Sequence, residues 1–182
     1  ADLRENGFGV SALIVDTIFS SDGIYPDPLV LAPAVSAVRA AGGVLIADEV
    51  QPGFGRTGAG MWGFSRHGVV PELVTMGKPM ANGMPVAAMV ARGDVLAGFA
   101  NEVPYFNTFG GNPVSMAAAA AVLDVIEGEQ LIANAAAVGG DLRAEVTRLT
   151  AENPRIGEVR GAGLYLGVEV LDADGHPDRA AA

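Results

Sequence analysis

Two continuous apolar runs in the first fifty residues constrain the fold more than any other feature. They span residues 11–16 (SALIVD) and 44–48 (VLIAD). Runs of this kind are typical of strands that are buried on both faces of a parallel sheet. An apolar-periodic stretch over residues 29–41, closed by Gly42 and Gly43, predicts a helix between them. Strand, helix and strand at this spacing predict a βαβ unit and an α/β fold.

The rest of the chain predicts more strands, then helices, then a strand pair. The predicted strands are 73–76 and 86–90, the predicted helices are 113–127 and 131–149, and the pair is 156–160 with 164–170. Asn112 precedes Pro113 and is expected to cap the first of these helices. This order predicts a domain boundary near residues 125–130. We expect a mostly parallel sheet with helices on both faces over residues 1–127, and the start of a small α+β domain over residues 128–182.

Composition narrows the function classes. Half of the residues are hydrophobic, and the net charge is −10, which disfavours binding to the phosphate backbone of nucleic acids. There is no cysteine, and neither His67 nor His176 has a partner at metal-ligand spacing, so no metal site is expected. No apolar run reaches the ~20 residues that span a bilayer, so we expect no membrane association and a cytoplasmic location. Both ends look cut, which predicts a fragment of a longer protein.

Asp48 and Lys78 are the two residues that most suggest chemistry. Asp48 ends a predicted strand, where α/β sheets collect their ligands, although such a residue is more often a cap; Asp16 has the same position and the same ambiguity. Lys78 is the only lysine in the chain and follows a predicted strand in an apolar stretch. A surface lysine is the ordinary interpretation, and a lysine that forms a Schiff base is the functional one.

Two glycine-containing segments invite an anion-binding interpretation. Residues 51–58 (QPGFGRTG) match neither a P-loop nor the dinucleotide fingerprint, so a nucleotide-binding domain is a remote alternative. Residues 108–113 (TFGGNP) are better placed, because a hydroxyl and free backbone amides precede a predicted helix.

Several motifs together resemble one family. They are DEVQ at 48–51, GFGRTG at 53–58, GK at 77–78, NG at 82–83 and FNTFGGNP at 106–113. In order and spacing they resemble the class III aminotransferases, which are fold-type I enzymes dependent on pyridoxal 5'-phosphate (PLP). The likeness extends from about residue 11 to residue 170. The motifs most resemble the branch that contains alanine–glyoxylate aminotransferase 2 and the phospho-lyases acting on phosphoethanolamine.

The resemblance implies a role for each of five residues. Lys78 is implied to form the imine with PLP and then to move the substrate Cα proton, and Asp48 to pair with the pyridine nitrogen. Val50 is implied to pack on the ring, and Gln51 to hydrogen-bond near the phenolic oxygen. Thr108 is implied to contact the cofactor phosphate of the neighbouring subunit, which predicts a homodimer with shared active sites.

Some residues depart from the family pattern or are expected to be structural. Pro52 stands where a small hydroxyl residue is common, and Ala81 replaces a frequent glycine. Ser21 lies near the position of a glutamate in the ornithine and 4-aminobutyrate branches, which disfavours those substrates. Arg56 and Arg160 are expected to be structural residues rather than substrate clamps.

Three functions remain open at this point. The first is a transaminase that moves an amino group from an amino acid or amine to a 2-oxo acid. The second is a phospho-lyase that acts on an O-phosphorylated amino alcohol, because both reactions begin when Lys78 removes a proton. The third is a catalytically incomplete piece that serves as a structural or dimerisation module, because half of the cofactor site is expected to lie outside this segment.

Overall fold

Two sheets organise the chain in the computed structural model, which describes residues 5–25 and 27–182. The larger sheet has the order β1-β2-β3-β4, and its strands are Ala12–Asp16, Val44–Asp48, Leu73–Met76 and Ala88–Ala91. β1, β2 and β3 are parallel, whereas β4 is antiparallel to β3. The α/β prediction and the mostly parallel sheet are therefore confirmed. β4 begins two residues later than predicted.

Helix α1 (Ala32–Ala40) connects β1 to β2 and covers one face of the sheet. Its Val35 joins Leu31 and Leu45 in the buried core, which confirms the βαβ unit. The helix begins three residues later than predicted, because Asp27 organises a turn in which its Oδ1 accepts the Leu29 N–H at 2.8 Å. It ends where Gly42 adopts a φ of +88°.

The prediction that β1 is buried on both faces is wrong for this structure. Leu13 and Val15 pack towards the core beneath α1, but Ile14 on the opposite face is 62% exposed. β1 is the edge strand, and the α1 helix covers only one of its faces. The continuous apolar run therefore predicted the strand correctly and its burial incorrectly.

Helices fill the middle of the chain. Helix α2 (Gly93–Glu102) was not predicted, whereas α3 (Pro113–Gly128) and α4 (Leu131–Glu152) were predicted within three residues at each end. Asn112 caps α3 as expected, because its side-chain oxygen accepts the Ser115 N–H at 3.0 Å. No helix in the described part of the chain is long and apolar enough to cross a membrane.

The second sheet is the predicted antiparallel pair, β5 (Ile156–Ala162) and β6 (Tyr165–Val170). Helix α4 packs against it through a contact without side chains, because a Cβ added to Gly139 would lie 2.1 Å from the carbonyl oxygen of Gly163. The turn between α3 and α4 falls at residues 129–130, where the sequence placed the boundary. The division into domains 1–127 and 128–182 remains a prediction.

Candidate active site

Asp48 and Lys78 lie at the same edge of the larger sheet. Asp48 is the last residue of β2 and pairs in register with Thr75 of the parallel neighbour β3. Lys78 follows β3 by two residues and begins a short 3₁₀ helix, Lys78–Ala81. The carboxyl ends of parallel neighbours meet at one edge, which is where ligands bind in open α/β sheets. Lys78 is exposed, and its ammonium has no hydrogen-bond or ion-pair partner among the described residues.

Val50 contacts Asp48 and lies close to the residue before Lys78. Its N–H donates to Asp48 Oδ1 at 3.0 Å, which fixes the carboxylate against the start of the turn. Its Cγ2 lies 3.9 Å from the position that a Cβ on Gly77 would take, so Val50 faces the residue directly before Lys78. Gln51 follows in the same turn and is half-buried. The structure thus gathers four of the five candidate residues around one turn and one strand end.

Thr108 is not part of this group. It lies in residues 101–111, which are all exposed, beside a groove of about 780 Å³ that Met80 and Asn107 help to line. The expectation of free backbone amides here is wrong for three of them, and one is Asn112, whose N–H donates to the carbonyl oxygen of Phe109 at 3.3 Å. Asn107 Oδ1 accepts the N–H groups of Phe109 at 3.1 Å and Gly110 at 2.9 Å, because an asparagine in a turn readily bonds to the amides that follow it.

Asp16 is a structural residue, in contrast to Asp48. Its two carboxylate oxygens accept the backbone N–H groups of Ile18 at 3.0 Å and Ser20 at 2.9 Å, and the Ser20 hydroxyl also donates to it. All of these donors belong to the turn that follows β1. Both aspartates end parallel strands at the same edge and pair in register, but Asp16 accepts three hydrogen bonds from its own turn, whereas Asp48 accepts the Val50 N–H.

The glycine loop packs against helix α4. Gly55 and Gly58 have φ values of +81° and +72°, and a Cβ on either would lie within 2.8 Å of Ile132 or Ala136. Both the backbone conformation and the lack of space therefore require glycine. These contacts give the loop a packing role, which agrees with its mismatch to the nucleotide motifs.

Other residues singled out in the sequence have structural contacts. Pro52 is fully buried, and a Cβ on Gly63 would lie 2.5 Å from the Pro52 Cβ, so tight packing replaces the hydroxyl common at this position. Arg56 contributes its carbonyl oxygen to the Leu164 N–H at 3.0 Å, and Arg160 pairs with Glu158 at 3.7 Å. Ala81, which replaces a frequent glycine, is buried.

His67 also has structural contacts. Its Nε2 lies 2.7 Å from the carbonyl oxygen of Thr17, and its Nδ1 lies 3.2 Å from that of Pro28. Across residues 5–25 and 27–182, no group of three or more His, Cys, Asp or Glu side chains is arranged to hold a metal ion.

Sequence reasoning missed Glu49, whose side chain is completely buried directly beside Asp48. Glu49 Oε1 accepts the Thr17 hydroxyl at 2.9 Å and the Phe64 N–H at 2.9 Å, and Oε2 accepts the Gly63 N–H at 2.6 Å. Burial raises the pKa of Glu49 above its ordinary value, although these three hydrogen bonds oppose the shift; the negative charge of Asp16 adds to it.

A signal for Glu49 was present in the strand. Residues 45 and 47 are on the buried face of β2, and side chains alternate along a strand, so residue 49 was due on the same face. A carboxylate on the buried face of a strand needs hydrogen-bond or charge partners. Applied to residue 49, this requirement predicts a buried glutamate with several donors around it.

Comparison with known proteins agrees with the family resemblance of the sequence motifs. The family described as aminotransferase class-III matches residues 3–181. An alanine–glyoxylate aminotransferase 2-like protein of Drosophila melanogaster is 47% identical over 97% of this chain and 36% of its own length. The mitochondrial alanine–glyoxylate aminotransferase 2 homolog 2 of Arabidopsis thaliana is 48% identical over 89% of this chain and 34% of its own.

One solved structure is also similar to this chain in both fold and sequence. A phospholyase from Arthrobacter in complex with phosphoethanolamine has a TM-score of 0.93 and 44% identity, and the match covers 98% of this chain and 43% of that chain. The chain therefore spans about a third of the length of these curated relatives, and less than half of the phospholyase.

Proposed function

The chain belongs to the class III aminotransferase family, and on that premise we propose that the protein is a PLP-dependent transaminase. It moves an amino group from an amino acid or amine to a 2-oxo acid. The observation that carries the proposal is the common position of Asp48 and Lys78, at the carboxyl ends of the parallel strands β2 and β3. A carboxylate and a lone amine at one sheet edge are the two groups that this chemistry requires.

The donor set at this edge fits the cofactor. Lys78 Nζ has no partner in the described part of the chain and is available to bind an aldehyde covalently. Asp48 is acceptor-only when ionised, which suits a protonated pyridine nitrogen. Val50 contributes an apolar side chain next to Asp48, and Gln51 is proposed to hydrogen-bond near the phenolic oxygen. When bound, PLP supplies an electron sink for the charge that develops on the substrate Cα.

In the proposed reaction, some residues hold the cofactor and one residue also transfers a proton. Asp48 keeps its negative charge close to the ring nitrogen, and its bond from the Val50 N–H limits rotation of the carboxylate. Lys78 Nζ anchors the cofactor and later takes the proton from the substrate Cα.

A spectroscopic experiment tests the transaminase assignment. The full-length enzyme, reconstituted with PLP, is mixed with L-alanine, and formation of the aminated cofactor is followed by absorbance. Borohydride reduction and peptide mapping are expected to place the label on Lys78. Lys78→Arg is the matched control, since it keeps a cation in place and removes the nucleophilic amine. A label on another residue, or none, would refute the assignment.

Phospho-lyase activity is the second candidate, because of the similarity to the Arthrobacter phospholyase structure. Here the same proton removal by Lys78 would be followed by loss of phosphate from the adjacent carbon. Phosphoethanolamine is therefore run in parallel with L-alanine, and free phosphate is measured. Phosphate release without any aminated cofactor would favour the lyase over the transaminase.

We also propose a homodimer in which Thr108 reaches the cofactor phosphate of the partner. Three aromatic side chains beside it support this proposal, because Tyr105, Phe106 and Phe109 are between 72% and 84% exposed. Large apolar side chains exposed together mark interaction surfaces.

Mixing inactive subunits tests the shared site. A Lys78→Ala subunit and a Thr108→Val subunit restore one intact site in a heterodimer only when the two residues come from different chains. Activity is therefore expected to reappear on mixing, and each variant alone is the control. No regain, with heterodimers demonstrated by tagged subunits, would place both residues in one chain. The cytoplasmic location remains a prediction that cell fractionation tests, since the Arabidopsis relative is described as mitochondrial.

A further inference from the structure

We infer that Glu49 is a positioning residue for the cofactor site: its buried carboxylate fixes the turn that carries Asp48 and Val50. The inference rests on the proposed function, because it concerns the same site. Glu49 itself is completely buried, so it touches neither cofactor nor substrate. It acts through the backbone that it shares with Asp48.

The side chain of Glu49 points away from the face that Asp48 occupies. Leu45 and Ala47 are fully buried, and Glu49 continues their alternation on the side of the strand that faces the core. Asp48 belongs to the other face of the strand. Two adjacent carboxylates therefore have separate tasks, one towards the ligand edge and one towards the interior.

Every polar group of Glu49 has a hydrogen-bond partner, either in its own turn or in another segment of the chain. Its N–H donates to the carbonyl oxygen of Thr75 in β3 at 2.9 Å, and its carbonyl oxygen accepts the Gly53 N–H at 3.0 Å. The carboxylate binds Thr17, just beyond β1, and the backbone of residues 63–64. The turn after β2 is thus held to three other segments through one residue.

The three donors at the carboxylate explain why a glutamate is present. A carboxylate only accepts hydrogen bonds, whereas a glutamine amide would turn its NH₂ group towards either the Gly63 or the Phe64 N–H. One of those bonds would then be lost, and residues 63–64 would no longer hold the turn at both points. Burial raises the pKa of Glu49, and the same three hydrogen bonds oppose that shift.

A purely structural role is the competing explanation, and Glu72 provides the matched control. Glu72 is also buried, at 8% exposure, and accepts a strand amide, the Leu45 N–H at 2.8 Å. It lies just before β3, at the edge of the sheet that the amino ends of the parallel strands form. Loss of either carboxylate disturbs the fold, but only loss of Glu49 is expected to disturb the cofactor.

The experiment compares Glu49→Gln with Glu72→Gln in the full-length enzyme reconstituted with PLP. PLP affinity is measured by absorbance titration, the spectrum of the bound cofactor is recorded across pH, and unfolding of the cofactor-free protein is followed separately. Glu49→Gln is expected to weaken PLP binding by about tenfold or more, because small displacements of positioned groups are costly, and to alter the spectrum. Glu72→Gln is expected to lower the unfolding midpoint and leave PLP affinity within about twofold of wild type.

Thr17 gives a second pair of variants in case Glu49→Gln does not fold. Thr17→Ser keeps the hydroxyl that donates to Glu49 and is expected to retain wild-type PLP affinity. Thr17→Val removes the hydroxyl at similar volume and is expected to weaken affinity by about threefold to tenfold, as the loss of one hydrogen bond allows.

Two results would overturn the inference. One is an unchanged PLP affinity and spectrum in Glu49→Gln with reduced stability, which would make Glu49 structural only. The other is equal PLP affinity in Thr17→Ser and Thr17→Val. Failure of the wild-type protein to bind PLP at Lys78 would instead refute the proposed function on which the inference rests.

Discussion

The amino ends of the parallel strands form one edge of the larger sheet, and their carboxyl ends form the other. A buried carboxylate at each of these two edges has a different kind of partner. At the amino-end edge, Glu72 pairs with Arg39 at 2.8 Å and lies 3.4 Å from Arg92. At the carboxyl-end edge, Glu49 is bonded to a hydroxyl and two backbone amides, all of them neutral. Both side chains are buried, but only one is neutralised by a cation.

The pKa directions follow this difference. Burial raises the pKa of Glu72, but hydrogen bonds from the Leu45 N–H and Arg39, together with the Arg39 charge, outweigh it and lower the pKa overall. Burial dominates at Glu49, and its pKa is raised. The amino-end edge therefore balances its charge internally. The carboxyl-end edge has two adjacent carboxyl groups, Asp48 and Glu49, and no cation is among the three hydrogen-bond donors to the Glu49 side chain in the described part of the chain.

The largest expected effect is loss of activity at the carboxyl-end edge alone. Lys78→Ala is expected to lower kcat/KM for transamination of L-alanine by more than about 1000-fold, because the covalent anchor and the base are both removed. Arg92→Ala at the other edge is the control and is expected to keep wild-type kcat/KM. Comparable losses in both variants would show that the edges do not differ in function.

Asp48→Asn is expected to have the next largest effect. Removing the charge beside the ring nitrogen is expected to lower kcat by about 100-fold or more, as loss of a fixed electrostatic partner does. Asp16→Asn is the matched variant, since Asp16 ends the neighbouring strand but binds only its own turn. It is expected to reduce stability and retain kcat. Steady-state kinetics on both variants, normalised to folded protein, distinguish the two roles.

The dependence of unfolding free energy on pH also distinguishes the two glutamates. Glu72, with a lowered pKa, stabilises the fold fully above its unfolded value near 4.5, and this contribution is lost as the pH falls through its folded pKa. Glu72→Gln is therefore expected to lose about 1–3 kcal/mol of unfolding free energy at pH 7, and the deficit is expected to shrink in acid. Urea denaturation at several pH values measures it.

Glu49 is expected to show the opposite pH trend. Its pKa is raised, so its contribution is complete below about pH 4.5 and is lost as the pH rises through its folded pKa. The wild type should therefore lose stability relative to Glu49→Gln as the pH rises over that interval. Parallel curves for Glu49→Gln and Glu72→Gln would contradict the contrast between the two edges.

The smallest effects are expected within the Glu72 cluster. Arg39→Gln should reduce stability less than Glu72→Gln, because the Arg39 side chain is 40% exposed and water screens its charge. Arg92→Gln should reduce it less again, since Arg92 is further from Glu72 and more exposed. The order of the three urea midpoints checks this ranking, and a reversed order would show that Arg92 is the main partner.

Apolar periodicity and cap residues predicted most of the fold. The strands at 44–48 and 73–76 were placed to the residue, and Asn112 identified the start of α3 because its chemistry is local. Helix α2 was missed because Gly93 and Gly98 weaken its intrinsic helix propensity. The exposure of Ile14 was also missed, since burial depends on which other segments cover a strand.

The candidate site, like the fold, was predictable from local sequence signals and not from contacts between distant segments. Asp48 and Lys78 could be predicted as site residues because one ends and the other closely follows a strand that the sequence marked. Glu49 was missed because its donors, Thr17 and residues 63–64, are distant in sequence and converge only in the fold. The occupied amides at Asn107 were missed because the sequence does not reveal which side chain bonds to them first.

The contact between Gly139 and Gly163 has a consequence for evolution and engineering of this chain. The Gly163 backbone fills the space that any side chain at residue 139 would need, and a Cβ on Gly163 would lie 2.4 Å from the Thr57 carbonyl carbon. Neither position can therefore compensate for a change in the other. Libraries of variants should find both positions intolerant of every substitution, and a search for altered specificity gains by leaving them fixed.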